Sequence, residues 1–500
     1  MLNIEMHREN LPYQPTPISR HSKATKLYAD FLSTTEKTRK YFGPIFDDDA
    51  ALGQLLSKLQ QGSYPREELA LALADVAADS EAPTAVGVQI DKLRNKDSSV
   101  VFAGQQPGLF TGPLYTVYKA LSVERWAVSL SDKFSIPIIP CFWIASDDHD
   151  FNEVNSIKLP NERGIAIVEY TSEQASVGQP VARIKLDANI QSLIKELFDF
   201  SPASEFRQDV LDILDETYTA GLTYPLAFAR LWYRMFPQSQ LVFVSPCHRE
   251  LKKLAEPVIE HALRDATRFF SVYDETSRRL ENDGYHRQVH KNPAQTFVFY
   301  QHAERQNIRR DENNDYILDG EDPLTIDHLS KMLVDEPEDF SGNVLLQPLI
   351  QNTLFPTLGV VLGPSEIAYY AQIGDLHDYL DIPRPTIMPR TSVTLVQKNI
   401  DSRLSQYDIS LDALQRNVNE EVTRVLKTTF PEELDDIFQF AEQNINRTFE
   451  DIQSIVGKFE SDLDKTAQIA NLRARQELQN LAKKTHATHN VELPSYRQRA

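Results

Sequence analysis

The sequence predicts an α/β chain built on a parallel sheet and continued by a long helical segment. Two observations carry this reading. Apolar runs of strand length at 98–104 and 136–145 flank a helical pattern at 113–130, and strand, helix, strand within ~50 residues is a βαβ unit, whose strands lie parallel. From Glu432 to Asn490 no proline and only Gly457 interrupt a chain whose apolar positions return about every 3.6 residues, the period of an amphipathic helix.

In chain order, 1–95 is rich in Leu, Ala, Glu and Lys. Its apolar residues fall at helical spacing through Leu52, Leu55, Leu56 and Leu59 and again through Leu69, Leu73 and Val76, which predicts a helical N-terminal layer. The run 98–104 reads as a buried strand ending in glycine, and Pro113 opens the helix after it. The run 136–145 is apolar throughout, as a strand buried on both faces requires. Alternating stretches at 165–170 and 181–184 predict a β-rich insertion, followed by helices across 190–236. Alternation resumes with a strand at 240–245 and one long helix at 246–282. The polar stretch 306–322 predicts a surface hairpin or loop, and 343–346, 358–362 and 385–388 read as short strands around a helix at 365–380. The C-terminal helix must bury its apolar stripe, either on the helices at 400–428 or on a second copy of the chain; a homodimer is expected.

Composition narrows the function classes. Lys and Arg number 52 against 72 Asp and Glu, a net charge of −20 with an isoelectric point near 5.1. Such a chain repels phosphate backbones, and no Lys/Arg-rich run offers a local basic patch, so nucleic acid is excluded as a general partner and acidic membrane surfaces are disfavoured. The longest apolar stretch, 136–145, is half the ~20 residues of a spanning helix and holds two prolines. The first ten residues lack the basic start and apolar core of a secretory signal. Cys141 and Cys247 are too few for a disulfide framework, and a cytoplasmic protein is expected.

Two segments carry candidate chemistry. Glycine is scarce, 17 in 500 residues, yet Gly104, Gly108 and Gly112 fall together in Gly104-Gln-Gln-Pro-Gly-Leu-Phe-Thr-Gly-Pro-Leu-Tyr115, between a strand and a helix. A loop at the carboxyl end of a parallel strand, opening into a helix N-terminus, is where α/β sheets bind ligands, because free N–H groups and the helix dipole favour anions. Gln105 and Gln106 offer amides there, and Thr111, Tyr115 and Lys119 a hydroxyl, a phenol and an ammonium. The spacing matches neither Gly-x-Gly-x-x-Gly nor a Walker A, and a ligand-binding loop is preferred here to the alternative of an ordinary glycine-rich turn. In Ser146-Asp-Asp-His-Asp-Phe-Asn-Glu153, three carboxylates surround one histidine, a repulsion that a purely structural loop has little reason to accept. His149 between Asp148 and Asp150 suits a proton carrier; the cluster equally suits a divalent cation, as in a metal-dependent hydrolase, or a solvated acidic turn.

Weaker candidates follow. His286 and His290 stand four apart, a metal spacing on a helix, but no third ligand is evident, so no metal site is assigned and His286 reads as a substrate contact. Gly363-Pro-Ser-Glu366 opens a helix whose Glu366, Tyr369 and Tyr370 face a pocket, although glutamate is also a routine residue at a helix start. Cys141 and Cys247 lie in or just after buried strands and read as packed thiols.

Together these motifs resemble a known family. The 104–115 segment with Tyr118-Lys-Ala120, and then Phe142-Trp-Ile-Ala-Ser-Asp-Asp-His-Asp-Phe-Asn-Glu-Val-Asn155, are similar to the cysteine ligase of bacillithiol biosynthesis, the cysteine-adding enzyme family. Gly284-Tyr-His-Arg-Gln-Val289, Asn343-Val-Leu-Leu-Gln-Pro348, Leu362-Gly-Pro-Ser-Glu-Ile-Ala-Tyr369 and the C-terminal coiled coil follow in the same order, so the resemblance covers most of the chain. It implies a Rossmann-like core of the class I aminoacyl-tRNA-synthetase kind, with halves at 96–155 and 237–397, a connective insertion at 156–236 and a dimerising coiled coil at 398–490. The implied reaction joins the carboxylate of L-cysteine to the amine of glucosaminyl malate, completing bacillithiol. ATP is the expected activator by analogy with other cysteine ligases, with Mg²⁺ only as its counter-ion.

On this reading Asp148, His149 and Asp150 orient the amine and manage its proton, since an amine must lose a proton to attack an acyl centre. Gly104, Gln105, Gln106, Gly108, Thr111, Gly112, Tyr115, Lys119, His286, Gly363, Glu366 and Tyr369 are the substrate- or nucleotide-binding candidates, and the resemblance adds Trp143 and Gln288. Some positions depart from the pattern: Gln347 stands where Arg is usual, Asn352 where Asp is, and Ser365 where Gly is. The end, Leu493-Pro-Ser-Tyr-Arg-Gln-Arg-Ala500, lacks the expected Phe-Pro-x-Gly and Leu-Gln-Glu-Arg segment, as a truncated or diverged last element would. A non-catalytic scaffold recruiting partners through the coiled coil is the remaining alternative.

Overall fold

The structure, a computed structural model, describes 24–492 apart from 34–35, 162–163, 173–174, 176–177, 201–203, 302–303, 320–321, 430–431 and 457–460. Two compact units divide the chain, one holding 24–161 and 165–394, the other the chain from Leu395.

The first unit is organised by five strands: β1 (Ser99–Gln105), β2 (Ile138–Ile144), β3 (Val242–Val244), β4 (Thr357–Leu362) and β5 (Thr386–Pro389). All neighbouring pairs are parallel, in the order β5-β4-β1-β2-β3. Both faces of such a sheet must be covered, and β2 and β4 are buried along their whole length. Phe142 of β2, for example, stacks on Phe228 at 6.2 Å and meets Phe243 edge-on at 5.7 Å. Burial of one such side chain contributes about 1.5–3 kcal/mol. From β1 the chain builds outward through β2 to β3, whereas β4 and β5 add on the opposite side. This is the doubly wound, Rossmann-like arrangement, and it opens a crevice at the carboxyl ends of β1 and β4, where the direction of winding switches.

Several expected elements change form. The helix predicted at 246–282 is two, Arg249–Arg264 and Ala266–Asn282, parted at Asp265, whose φ of −113° and ψ of 33° lie outside the helical basin. The 365–380 helix also divides, into Pro364–Gln372 and Gly374–Tyr379. Gly374 marks a chain crossing, because a Cβ there would lie 2.5 Å from the Tyr41 carbonyl oxygen. The expected strand at 343–346 is a turn. Asn343 Oδ1 accepts from the N–H groups of Leu345 and Leu346, both at 3.0 Å, and leads into the helix Gln347–Leu354.

The strand that belongs there lies just before, Phe340–Gly342, in a second, antiparallel sheet with Gln295–Gln301, Arg305–Arg310 and Tyr316–Ile317. That sheet contains the hairpin expected at 306–322. The insertion after β2 holds a two-stranded hairpin, Ser156–Asn161 with Gly164–Glu169, and the helices Asn189–Phe200, Arg207–Thr217 and Tyr224–Met235. Its predicted strand at 181–184 is a 3₁₀ turn, Val181–Arg183. The N–H groups of Val181 and Ala182 bond the carbonyls of Asp148 and Ser146, each at 2.8 Å, instead of a strand partner.

In the second unit the single C-terminal helix is corrected to two, Glu432–Val456 and Ser461–Glu492; Gly457 lies outside the described residues. They run antiparallel. Gln453 bonds Asp464, Asn446 bonds Asn471 and Glu442 bonds Arg475, stepping by seven and then four residues along each helix, the spacing of a heptad seam. The apolar stripe is therefore covered in part by its own continuation, with Ala467 buried in the seam. Other apolar side chains stay outside it, among them Phe440 at 66% and Leu472 at 63% exposure.

Candidate active site

The glycine-rich segment leaves β1 at the crevice. Leu109 N–H donates to the Val154 carbonyl at 2.7 Å, and Phe110 N–H to the Tyr218 hydroxyl at 3.0 Å. These contacts hold three successive residues at positive φ: Phe110 at 51°, Thr111 at 75° and Gly112 at 72°. A β-branched residue in that region costs of order 1–3 kcal/mol, so the surrounding structure must impose it. The glycines answer to the chain itself. A Cβ on Gly108 would lie 2.6 Å from Gly112 Cα, and one on Gly104 would lie 3.3 Å from both Cβ and O of Trp143. Their spacing follows from a close crossing of backbone over backbone.

Lys119, 2% exposed, projects from the helix Leu114–Phe134 under this loop. Its Nζ donates to the Gly104 carbonyl at 2.7 Å and to Gln105 Oε1 at 3.0 Å, and pairs with Glu366 Oε2 at 2.6 Å. An ammonium has three donors, and all three are met within the protein. Burial draws the Lys119 pKa below its usual value, and the Glu366 carboxylate opposes that shift. The same Glu366 oxygen accepts from Gly363 N–H at 2.7 Å, which caps the helix Pro364–Gln372. Burial, and then the Glu366 charge, raise the phenol of Tyr369 well above its ordinary pKa. The carboxyl ends of β1 and β4 are thus tied across the crevice by one ion pair.

Arg390, immediately after β5, is a cation that sequence reasoning missed. Its guanidinium lies 5.0 Å from the centre of the Tyr115 ring, and its buried Nε has no partner. The available signal was an arginine directly after the last apolar strand of a parallel sheet.

The acidic segment follows β2, beside β1 in register: Gly104 faces Trp143 and Gln105 faces Ile144. Gln106 joins the two motifs, donating from Nε2 to Asp148 Oδ2 at 2.7 Å and to Glu153 Oε2 at 3.1 Å. Asp148 Oδ1 lies 3.4 Å from Arg305 Nη1 and from His149 Nδ1. The Arg305 side chain, 8% exposed, stacks at 4.0 Å over Phe299 and also bonds Ser341 Oγ at 3.3 Å. Nothing in the sequence marked Arg305, which comes from the antiparallel sheet some 150 residues later. His149 is exposed at its ring, and Asp150 stands at the surface.

The acidic cluster does not converge. Asp148 faces Gln106 and Arg305, whereas Asp147 lines a separate cleft with Trp143. Among the described residues no three His, Cys, Asp or Glu side chains gather as a cation would need, and the structure adds no support for the hydrolase reading. His286 and Gln288 are exposed and bond each other, Nε2 to Oε1 at 3.0 Å; their segment is not helical, so the metal spacing of His286 and His290 is lost. Cys141 is fully buried, its thiol pKa pushed up by desolvation. Cys247, next to Ser146 Oγ at 3.9 Å, is likewise raised by burial, with the Lys252 charge opposing.

Comparison with known proteins matches this architecture part for part. The model of the N-terminal Rossmann-like domain of bacillithiol biosynthesis BshC matches 6–391, and that of the BshC C-terminal coiled-coil domain matches 393–495. The chain belongs to the BshC family. Relatives named "Putative cysteine ligase BshC" include those of Koribacter versatilis, 30% identical over 93% of this chain and 86% of the relative, and Salinibacter ruber, 30% identical over 92% and 84%. A Bacillus cereus relative of the same name is 26% identical over 94% and 88%. The two domain models meet near 392, close to the division between the compact units at 394. Among the described residues, no helix is long and apolar enough to cross a membrane.

Proposed function

We propose that this chain joins the carboxylate of L-cysteine to the amine of glucosaminyl malate, forming the amide that completes bacillithiol. The observation that carries the reading is the junction at Gln106. In a chain of this family, that side chain brings the glycine-rich and acidic motifs together at the carboxyl edge of the parallel sheet, where doubly wound proteins bind substrates.

In this reading Gln106 and Arg305 fix Asp148, and Asp148 with Arg305 positions the ring of His149. His149 takes the proton that the attacking amine must lose. Arg390, with an unpartnered donor over Tyr115, is the side chain suited to hold the phosphates of ATP with their Mg²⁺, rather than Lys119, which is already paired. ATP, when bound, supplies a leaving group for the cysteine carboxylate. The exposed apolar residues of the helical hairpin, Phe440 and Leu472 among them, support a homodimer formed through the coiled coil.

The test is direct. Purified protein is incubated with cysteine, glucosaminyl malate and Mg²⁺, with and without ATP, and the new thiol is detected by mass spectrometry. Product only with ATP supports the whole reading; product without ATP keeps the ligase and removes the nucleotide; no product from folded protein overturns it. His149→Ala is expected to lower kcat by about 10²–10⁴-fold, the range for loss of a general base.

A further inference from the structure

At the carboxyl ends of β2 and β3 lies a small cleft, partly open to solvent, apart from the crevice between β1 and β4. Leu251, Ala255 and Ile259 of the helix Arg249–Arg264 and Ile350 and Leu354 of the helix Gln347–Leu354 make its apolar walls. Among the polar side chains that line it, Trp143, Lys252 and Asp147 have hydrogen-bonding groups to spare. The Trp143 side chain is 3% exposed, yet its indole Nε1 has no hydrogen-bond partner. Lys252, 5% exposed, donates to one neutral acceptor, the Phe340 carbonyl, at 2.6 Å, which leaves two of its three donors. The Asp147 carboxylate makes no hydrogen bond or ion pair among the described residues. Buried polar groups are normally paired, so an indole N–H and an ammonium left short of acceptors beside a free carboxylate mark a place for a ligand carrying the complementary groups.

We propose that this cleft is the subsite for the amino acid, resting on the reading that cysteine is a substrate. The α-carboxylate accepts from the Trp143 indole and the Lys252 ammonium, the α-ammonium faces Asp147, and the short thiol side chain lies on the apolar walls. A zwitterion matches one anionic and two donor groups. The malate end of the other substrate brings two carboxylates, one of which would meet Asp147 unpaired, and its sugar brings hydroxyls that Leu251, Ile259 and Ile350 cannot bond. The loop after β2 thereby presents successive residues to the two substrates, Asp147 to the amino acid and Asp148 with His149 to the amine.

Calorimetric titration of the full chain tests this with L-cysteine, 3-mercaptopropionate, which lacks the ammonium, and cysteamine, which lacks the carboxylate. Asp147→Asn is expected to weaken cysteine and cysteamine at least tenfold and to leave 3-mercaptopropionate unchanged. Trp143→Phe keeps the ring and removes the N–H, and should weaken cysteine and 3-mercaptopropionate while sparing cysteamine. In the ligation assay Asp147→Asn should raise KM for cysteine and not for glucosaminyl malate. Unaltered cysteine affinity in a folded Asp147→Asn protein, or a KM rise confined to glucosaminyl malate, overturns the subsite while the ligase reading stands. A wild-type chain that neither binds cysteine nor makes product overturns both. Asp147 is partly exposed, so its variant keeps the test open even where Trp143→Phe does not fold.

Discussion

Two regions at the same edge of one sheet handle their polar groups in opposite ways. In the crevice between β1 and β4, Lys119, Gln105, Glu366 and the Gly104 and Gly363 backbones satisfy one another. In the cleft beside β2 and β3, Trp143, Asp147 and Lys252 stand near apolar walls with donors and an acceptor to spare. Both have residues of the types that bind ligands. The difference teaches that residue type and position at a strand end nominate a group, while its partners decide whether it is offered to a ligand or holds the fold.

The largest expected effect breaks the satisfied side. Lys119→Met leaves Glu366 and the Gly104 carbonyl without their shared donor. Severing a buried pair costs about 3–5 kcal/mol, and with Glu366 still 22% exposed the lower end applies, about 3 kcal/mol by urea denaturation. Adding Glu366→Gln should restore part of the loss. Unchanged stability with lost ATP binding would instead make Lys119 a ligand group and erase the contrast between the regions.

His377 sharpens the same rule. It is 2% exposed and held neutral, with Nδ1 bonding the Ile373 carbonyl at 3.0 Å and Nε2 accepting from Asn352 at 2.9 Å. Desolvation lowers its pKa to about 4 from an ordinary 6.5. Between those values the unfolded chain binds a proton that the folded chain does not. Stability should therefore fall as pH drops from about 6.5 to about 4, by up to about 3 kcal/mol from this residue, and change little from it below. Urea melts at pH 7, 5.5 and 4.5 measure the slope. Asn352→Asp, which puts a carboxylate against the ring, should flatten it.

Smaller effects test the loop and the hairpin. Gly112→Ala, at φ 72° with Gly108 Cα 3.1 Å from the new Cβ, should cost about 1–2 kcal/mol. Gly53→Ala, in the helix Asp49–Gln61 with nothing within 4 Å, should gain about 0.5–1 kcal/mol. If both substitutions are neutral, the crossing at Gly108 and Gly112 does not require glycine. Least of all, Arg475→Ala removes a half-exposed pair with Glu442 and should change the thermal midpoint by an amount equivalent to 1 kcal/mol or less.

Much of the fold was legible because a doubly buried strand leaves a local signature. The apolar runs at 98–104, 136–145 and 358–362 each correspond to a core strand. What was misread turned on a single residue's side chain or on a distant neighbour. Asn343 folds back on its own backbone and makes a turn of a strand-like run, and Asp265 breaks a helix whose apolar period continues through it. The site was half legible. Gln106, Asp148 and His149 were nominated by motif, whereas Arg305 and Arg390 reach the same edge from strands far along the chain. No local pattern encodes that arrival.

By itself the sequence determined the parallel-sheet class, the family resemblance and the loops where chemistry is concentrated. Each of these is written in short-range periodicity or in contiguous motifs. Only the tertiary structure decided which way the C-terminal stripe folds, that Lys119 is bonded to Gly104, Gln105 and Glu366, and that Asp147 and Asp148, neighbours in sequence, face different surroundings. Those outcomes depend on which partners arrive from elsewhere to satisfy a charge or an N–H, and an ion pair between residues 247 apart, such as Lys119 and Glu366, has no signature at either end.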